Sequence, residues 1–205
     1  MTVEHVEILV EEPSAEAALR ILLPKMLGNT SFRVHPYSCK DDLLKRLPER
    51  LRGYAAWIPD DWRILVVVDR DDDDCKKLKR RLEAMAAKAG LATKSNPTKK
   101  RFAVVNRLAI EELEAWYFGD WEAVQKAYPK INATIPLQAS YRLPDAIKGG
   151  TWEAFERVMK AAGYFKTGLR KIEAARAVAA NMDPNRNTSR SFQVLRDALG
   201  EMATA

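Results

Sequence analysis

Histidine and cysteine are scarce in this chain. Its 205 residues hold two of each, His5, His35, Cys39 and Cys75. Two histidines are too few for an imidazole-rich zinc or iron centre. The cysteines lie far apart and form no CxxC pair, which reads as a reduced, cytoplasmic chain. No GxxxxGK[ST] occurs, so the chain carries no P-loop of its own. "GGT" at 149–151 follows no strand-like run. It reads as a plain turn before a helix, not as a dinucleotide loop. Long hydrophobic runs are absent too. The opening "MTVEHVEILVEE" carries early acids and an apolar run too short for a signal peptide or membrane span, and no later segment reaches spanning length. The expectation is a cytoplasmic protein that does not enter a membrane.

What is present suits a packed globule. A hydrophobic share of 47% is ordinary and allows a full core. The length suits one domain, or one domain with a modest appendage. The 34 Lys and Arg exceed the 28 Asp and Glu, for a net charge of +6. That surplus is compatible with a polyanionic partner without demonstrating one.

Periodicity gives the organisation. "VEHVEILVE" (3–11) and "SFRVHPY" (31–37) read as strands, the second at an edge because of Pro36. Between them "PSAEAALRILLPKML" has helical spacing, with Ser14 as cap and Pro24 expected to bend or end it. "KDDLLKRL" and "PERLRGYAAW" read as two helical pieces, Pro48 opening the second. "RILVVVD" (63–69) is an unbroken β-branched run of the kind buried on both faces of a parallel sheet. A helix from Asp72 to Gly90, a strand "FAVVN" (102–106) and a helix "LAIEELEAWYF" (108–118) follow. This alternation predicts an α/β fold, a mostly parallel sheet flanked by helices over residues 1–120. Beyond Asp120 only helical patterns and one irregular link remain, so residues 121–205 are expected to form a helical extension packed on that core.

The chemistry gathers at "ILVVVDRDDDDC" (64–75), where five aspartates fill positions 69–74 behind a buried run. Helix starts favour acids, which accounts for Asp72, Asp73 and Asp74 as a solvated first turn. It accounts poorly for Asp69 at the strand's end. Asp71, two positions on, points the same way if the chain stays extended. Ligands of open α/β sheets sit at the carboxyl ends of strands, and Asp-x-Asp there can hold one divalent ion, with waters completing the shell. Glu11 closes the first strand as Asp69 closes the third. At about 100° per residue, Glu114 shares the apolar face of its helix with Leu113 and Tyr117, while Glu112 turns to water. A carboxylate facing a core requires a cation, either a metal or a basic side chain.

This order of a strand-end glutamate, then a strand-end Asp-x-Asp, resembles the Toprim domain, the metal-dependent catalytic module of topoisomerases, primases and OLD-type nucleases. More closely, "ILVEEPSAEAALRILLPKML", "LVVVDRDDDDC" and "AIEELEAWYFGD" resemble a bacterial domain-of-unknown-function family considered Toprim-like, and the likeness continues through "YFKTGLRKIEAARAV" and "SRSFQVLRDAL". The resemblance implies Glu11, Asp69, Asp71 and Glu114 as ligands of Mg2+ or Mn2+, and metal-dependent hydrolysis of phosphodiester bonds. It also implies an assisting lysine, for which Lys166 and Lys171 are the candidates, and a separate ABC-type ATPase partner in anti-phage defence. "EEPSAE" lacks the family's glycine after Glu11, and Glu16 comes one place late, so the first ligand is Glu11 or Glu12. Cys39-Lys40 stands where the family often has Gly-Lys. The basic loop with Lys99, Lys100 and Arg101 is a candidate nucleic-acid contact, or else a solvated loop. A non-catalytic binding or regulatory subunit of the same fold is the competing expectation.

Overall fold

The computed structural model describes residues 2–98, 101–109 and 112–204. Its sheet has four strands, β1 (His5–Val10), β2 (Ser31–Pro36), β3 (Trp62–Asp69) and β4 (Val104–Ala109). All neighbouring pairs are parallel, in the order β2-β1-β3-β4. Parallel neighbours need a crossover rather than a tight turn. Helices α1 (Pro13–Leu27), α2 (Lys40–Trp57) and α3 (Cys75–Lys88) supply the three crossovers. The fold is α/β, as the strand and helix alternation predicted.

Alternation along the strands decides what each face buries. Val6, Ile8, Val10, Leu65 and Val67 join one hydrophobic cluster with α1. Leu9, Ile64, Val66 and Val68 join a second with α2 and α3. Five further helices follow the sheet: α4 (Glu114–Gly119), α5 (Trp121–Ala127), α6 (Thr151–Ala161), α7 (Lys171–Asn181) and α8 (Arg190–Thr204). They extend the α1 cluster through Trp116, Phe155, Val178 and Leu199. Lys25 on α1 donates to the carbonyls of Ala179, Ala180 and Met182 at 3.2, 3.2 and 2.8 Å, and so caps the end of α7 with a positive charge. Among the described residues no helix is long and apolar enough to cross a membrane.

The turn after α4 is a second anchor. The buried Asp120 carboxylate takes both guanidinium bonds of Arg186, at 2.7 and 3.0 Å, and the Asp183 N–H at 2.9 Å. Beside it the backbone of Gly119 is closely packed. A methyl there would lie 2.2 Å from Asn187 Oδ1 and 2.7 Å from the Ser189 backbone nitrogen. Gly119→Ala is therefore expected to destabilise the protein by about 1–3 kcal/mol, the range for overpacking. A chemical denaturation midpoint that does not move would show that this turn gives way freely.

Four local expectations are corrected. Pro24 does not end α1, and Pro48 lies inside a single α2. Each proline forfeits one helix hydrogen bond, but the buried faces around them, Leu22, Leu23 and Leu27 in α1 and Leu44, Leu47 and Leu51 in α2, outweigh that loss. α3 starts at Cys75, not Asp72, because Asp74 is the cap and accepts the Lys77 N–H at 2.7 Å. β4 runs on to Ala109, paired with Asp69, so the following helix begins only at Glu114.

Candidate functional site

A sheet ordered β2-β1-β3-β4 has a switch point between β1 and β3. The chain leaves β1 toward one edge and β3 toward the other. The helices that follow them, α1 and α3, cover opposite faces. A crevice therefore opens at the carboxyl ends of these two strands, where such sheets bind ligands. Glu11 and Asp69 sit there, on adjacent parallel strands as expected. Glu11 Oε2 accepts the Asp69 backbone N–H at 3.0 Å.

Asp69 continues the Leu65, Val67 series toward the face that the C-terminal helices cover. It is 9% exposed, and Glu114 at the start of α4 is 1% exposed. Burial raises the Asp69 carboxyl far above the usual range, and the charges of Glu11, Glu114, Glu12 and Asp71 add to this. Burial likewise raises Glu11 from 4.5 to about 7, against the Asp69 N–H and with help from Asp71. Glu114 is raised from 4.5 to about 7 by burial, although Lys171 opposes the rise. These carboxylates lie close enough to repel one another. Raised carboxyls of this kind, burial first and mutual charge second, mark a candidate functional site.

Lys171, the first residue of α7, supplies part of the counter-charge. Burial disfavours its charge, but Glu114, Glu12, Glu112 and Asp69 outweigh that and hold the amine above its ordinary value. Its Nζ is 3.6 Å from Glu12 Oε2 and lies over the Trp152 ring, 5.5 Å from the centroid. The other expected lysine, Lys166, is exposed and forms no ion pair among the described residues.

The expectation for Asp71 depended on an extended chain, and the chain is not extended there. Asp71 has φ 48, and a turn is closed by Asp73 N–H to Arg70 O at 3.0 Å. Aspartate tolerates this left-handed conformation better than most residues. The turn carries the Asp71 carboxylate to Lys40, 2.6 Å away, and Lys40 also meets Asp73 at 3.0 Å and the Arg70 carbonyl at 3.0 Å. Asp71 is thus a rim group near Asp69 and Glu11, not a partner aimed alongside Asp69. Asp73 belongs to the Lys40 cluster and not to the first turn of α3. Glu112, expected to face water, accepts the Thr151 hydroxyl at 3.0 Å and the Trp152 N–H at 2.8 Å. The angular argument failed for it because no helix spans that position.

Two residues without an expected role stand at the site, Tyr117 and Lys40. Tyr117 is 1% exposed, and its hydroxyl has no hydrogen-bond partner among the described residues; the same holds for Glu114 Oε2. Burial, followed by the charges of Glu114, Glu12 and Asp69, raises its phenol well above the ordinary value. Its signal was available, since it shares Glu114's face. Lys99 and Lys100 lie outside the described residues. Arg101 is exposed, 3.9 Å from Asp60, and precedes β4 at the amino end of the sheet, opposite the crevice.

The donor set suits a hard divalent cation: carboxylate oxygens, one of them buried and unpartnered. No group of three or more His, Cys, Asp or Glu among the described residues is arranged to hold a metal ion. Such an arrangement would fit an ion only if one or two carboxylates held it and waters completed its shell. No curated protein and no solved structure matches the chain significantly. One family model does match, over residues 10–200, and by that match the chain belongs to the family described as domain of unknown function (DUF4276).

Proposed function

We propose that this protein is a Toprim-type, magnesium- or manganese-dependent phosphodiesterase that acts on nucleic acid. The observation that carries the reading is the convergence of Glu11, Asp69 and Glu114 at the switch-point crevice, each held protonated beyond its ordinary range. Glu11 and Asp69 would hold the ion, with Glu114 sharing its charge. Glu11 is preferred to Glu12, whose carboxylate is engaged by Ser14 and Lys171. The bound ion would supply Lewis acidity and a water of lowered pKa.

The protein's own groups then have distinct tasks. Lys171 stays protonated at neutral pH and can donate to a phosphate oxygen. The Tyr117 hydroxyl stays protonated and is a second donor on the Glu114 side. Glu11, raised to about 7 by burial in the metal-free protein, would give up its proton as it takes the ion, so ion binding is expected to strengthen as pH rises toward 8. The anti-phage role and a separate ABC-type ATPase partner belong to the same reading and rest on the Toprim resemblance; the cytoplasmic setting rests on the sparse, unpaired cysteines.

The test is cleavage of labelled single- and double-stranded nucleic acid, with and without the ATPase partner, in magnesium, manganese or EDTA. Cleavage that persists in EDTA would sink the metal mechanism. A second reading has its own support: Lys40 already neutralises Asp71 and Asp73, and no three-ligand group is preformed among the described residues. On that reading the protein is a non-catalytic binding or regulatory subunit. It would then be stabilised by magnesium yet fail to cleave in every condition.

A further inference from the structure

A second site lies across the sheet from Glu114, between β1, β2 and α2. Both histidines of the chain meet there on one buried residue, Glu7, which is 5% exposed. Its Oε1 pairs with His5 Nε2 at 3.1 Å, and its Oε2 with His35 Nε2 at 2.5 Å and the Tyr54 hydroxyl at 2.6 Å. Burial opposes the Glu7 charge, but these contacts outweigh it and keep the carboxyl below its usual value. The network occupies Glu7 with the protein's own donors and fixes His35 and Tyr54 as the floor of a cleft of about 330 Å³.

The walls of that cleft are unlike an ordinary surface. Trp57 is 55% exposed at the end of α2, and its ring meets Trp62 edge-on, centroids 5.6 Å apart at 81°. Trp62 is in turn held by His5, 4.1 Å away between ring centroids. A large indole held rigid and left open to solvent is a stacking surface. Arg33 and Arg50 also line the cleft, and neither is in an ion pair among the described residues. Arg50 is braced instead, with Nε 3.2 Å from the Tyr54 hydroxyl and its guanidinium 5.0 Å from that ring's centroid. The acid at the rim, Glu49, is itself 3.9 Å from Arg52.

An exposed aromatic face beside two guanidiniums that lack carboxylate partners matches one ligand chemistry, a planar base attached to a phosphate. The geometry points to a nucleotide subsite here, with the base stacked on Trp57 and its phosphate held by Arg33 and Arg50. His35, Glu49 and Arg50 also line a neighbouring cleft that reaches Pro13 and Ser38, at the carboxyl end of the sheet. A strand bound at the subsite thus has a path toward the acidic crevice. The subsite does not depend on the crevice being catalytic.

The ligand can come from two sources, a free nucleotide or an unpaired base of a single strand. Titrations in EDTA, which silence the crevice, separate them. The probes are AMP, read by isothermal titration calorimetry, and a short fluorescein-labelled single-stranded oligodeoxyadenylate, read by anisotropy. Trp57→Ala should weaken binding roughly tenfold or more, as loss of one base stack does, and Trp57→Phe should recover part of it. Arg33→Ala should weaken binding and flatten its salt dependence. Heat of binding by AMP assigns the free nucleotide; anisotropy change without AMP binding assigns the strand. Both support the subsite. Should Trp57→Ala melt early, Arg33→Ala alone decides, since Arg33 is exposed on the edge strand. No binding of either probe, or wild-type affinity in both variants, overturns the subsite whatever the crevice does with metal.

Discussion

Asp69→Asn will raise the melting temperature of the metal-free protein at pH 8 and remove most of its response to millimolar magnesium. The direction follows from the raised carboxyls. Glu11 and Glu114 move from 4.5 to about 7, and burial raises Asp69 well above its ordinary value too. Between the ordinary value and the raised one, the folded state holds more protons than the unfolded chain, so stability falls as pH rises. The contribution is intact below about pH 4 and lost as pH passes about 7. For Glu114, fully enclosed, a rise from 4.5 to about 7 corresponds to about 3 kcal/mol. The half-exposed Glu11 contributes less, since solvent screens it. His35 works the other way. Burial lowers its pKa, so stability rises with pH between that lowered value and the ordinary histidine value and is level above it. The difference between wild type and Asp69→Asn removes this background. An amide at position 69 removes the buried carboxyl whose ionisation burial and the charges of Glu11 and Glu114 oppose, while a divalent cation offsets those charges only where the carboxylates remain. At a hundredfold excess over its dissociation constant, such a cation is worth about 2.7 kcal/mol. Melting curves from pH 5 to 8, with EDTA or magnesium, read both effects. Equal magnesium shifts in the two proteins would remove Asp69 from any cation site.

How legible the molecule was depended on the range of the interaction. β3 is an unbroken β-branched run, so its burial and parallel pairing were local information. Asp69 followed from the strand's end, and Glu11 from the same logic one strand away. Glu114 was placed correctly from an angular argument even though its helix begins later than the pattern implied, because its neighbours Leu113 and Tyr117 are buried with it. The direction of Asp71 departs from the extended-chain expectation because it depends on one positive φ that alternation cannot encode. Lys40 could not be assigned, since the carboxylate that gives it a role is 31 positions away. The meeting of His5 and His35 on Glu7 was likewise invisible. It is a product of sheet register, with β1 between β2 and β3.

The same geometry revises the expected order of activity losses. The sequence pattern made Asp71 a ligand equal to Asp69, and Asp73 a solvated bystander. Lys40 bridges both, and their side chains are 44% and 51% exposed. Asp71→Ala and Asp73→Ala should therefore behave alike, each loosening the hold on Lys40 and costing metal-dependent cleavage roughly ten- to a hundredfold, as loss of an outer partner does. Asp69→Asn and Glu11→Gln remove groups proposed to hold the ion itself. Several kcal/mol of transition-state stabilisation goes with it, about a thousandfold or more in rate. Lys171→Met should fall between these classes, and with EDTA present it should also melt earlier at pH 8, since it leaves Glu114, Glu12, Glu112 and Asp69 without the amine that offsets them. The readout is initial cleavage rate at saturating magnesium for wild type and each variant. A loss in Asp71→Ala as deep as in Asp69→Asn, with Asp73→Ala unharmed, would mean that Asp71 leaves Lys40 to join the ion and that the Lys40 cluster describes only the metal-free state. The predicted order, with Asp71 and Asp73 paired well above Asp69 and Glu11, assigns ion binding to the strand ends and leaves the aspartate turn as a clamp on Lys40.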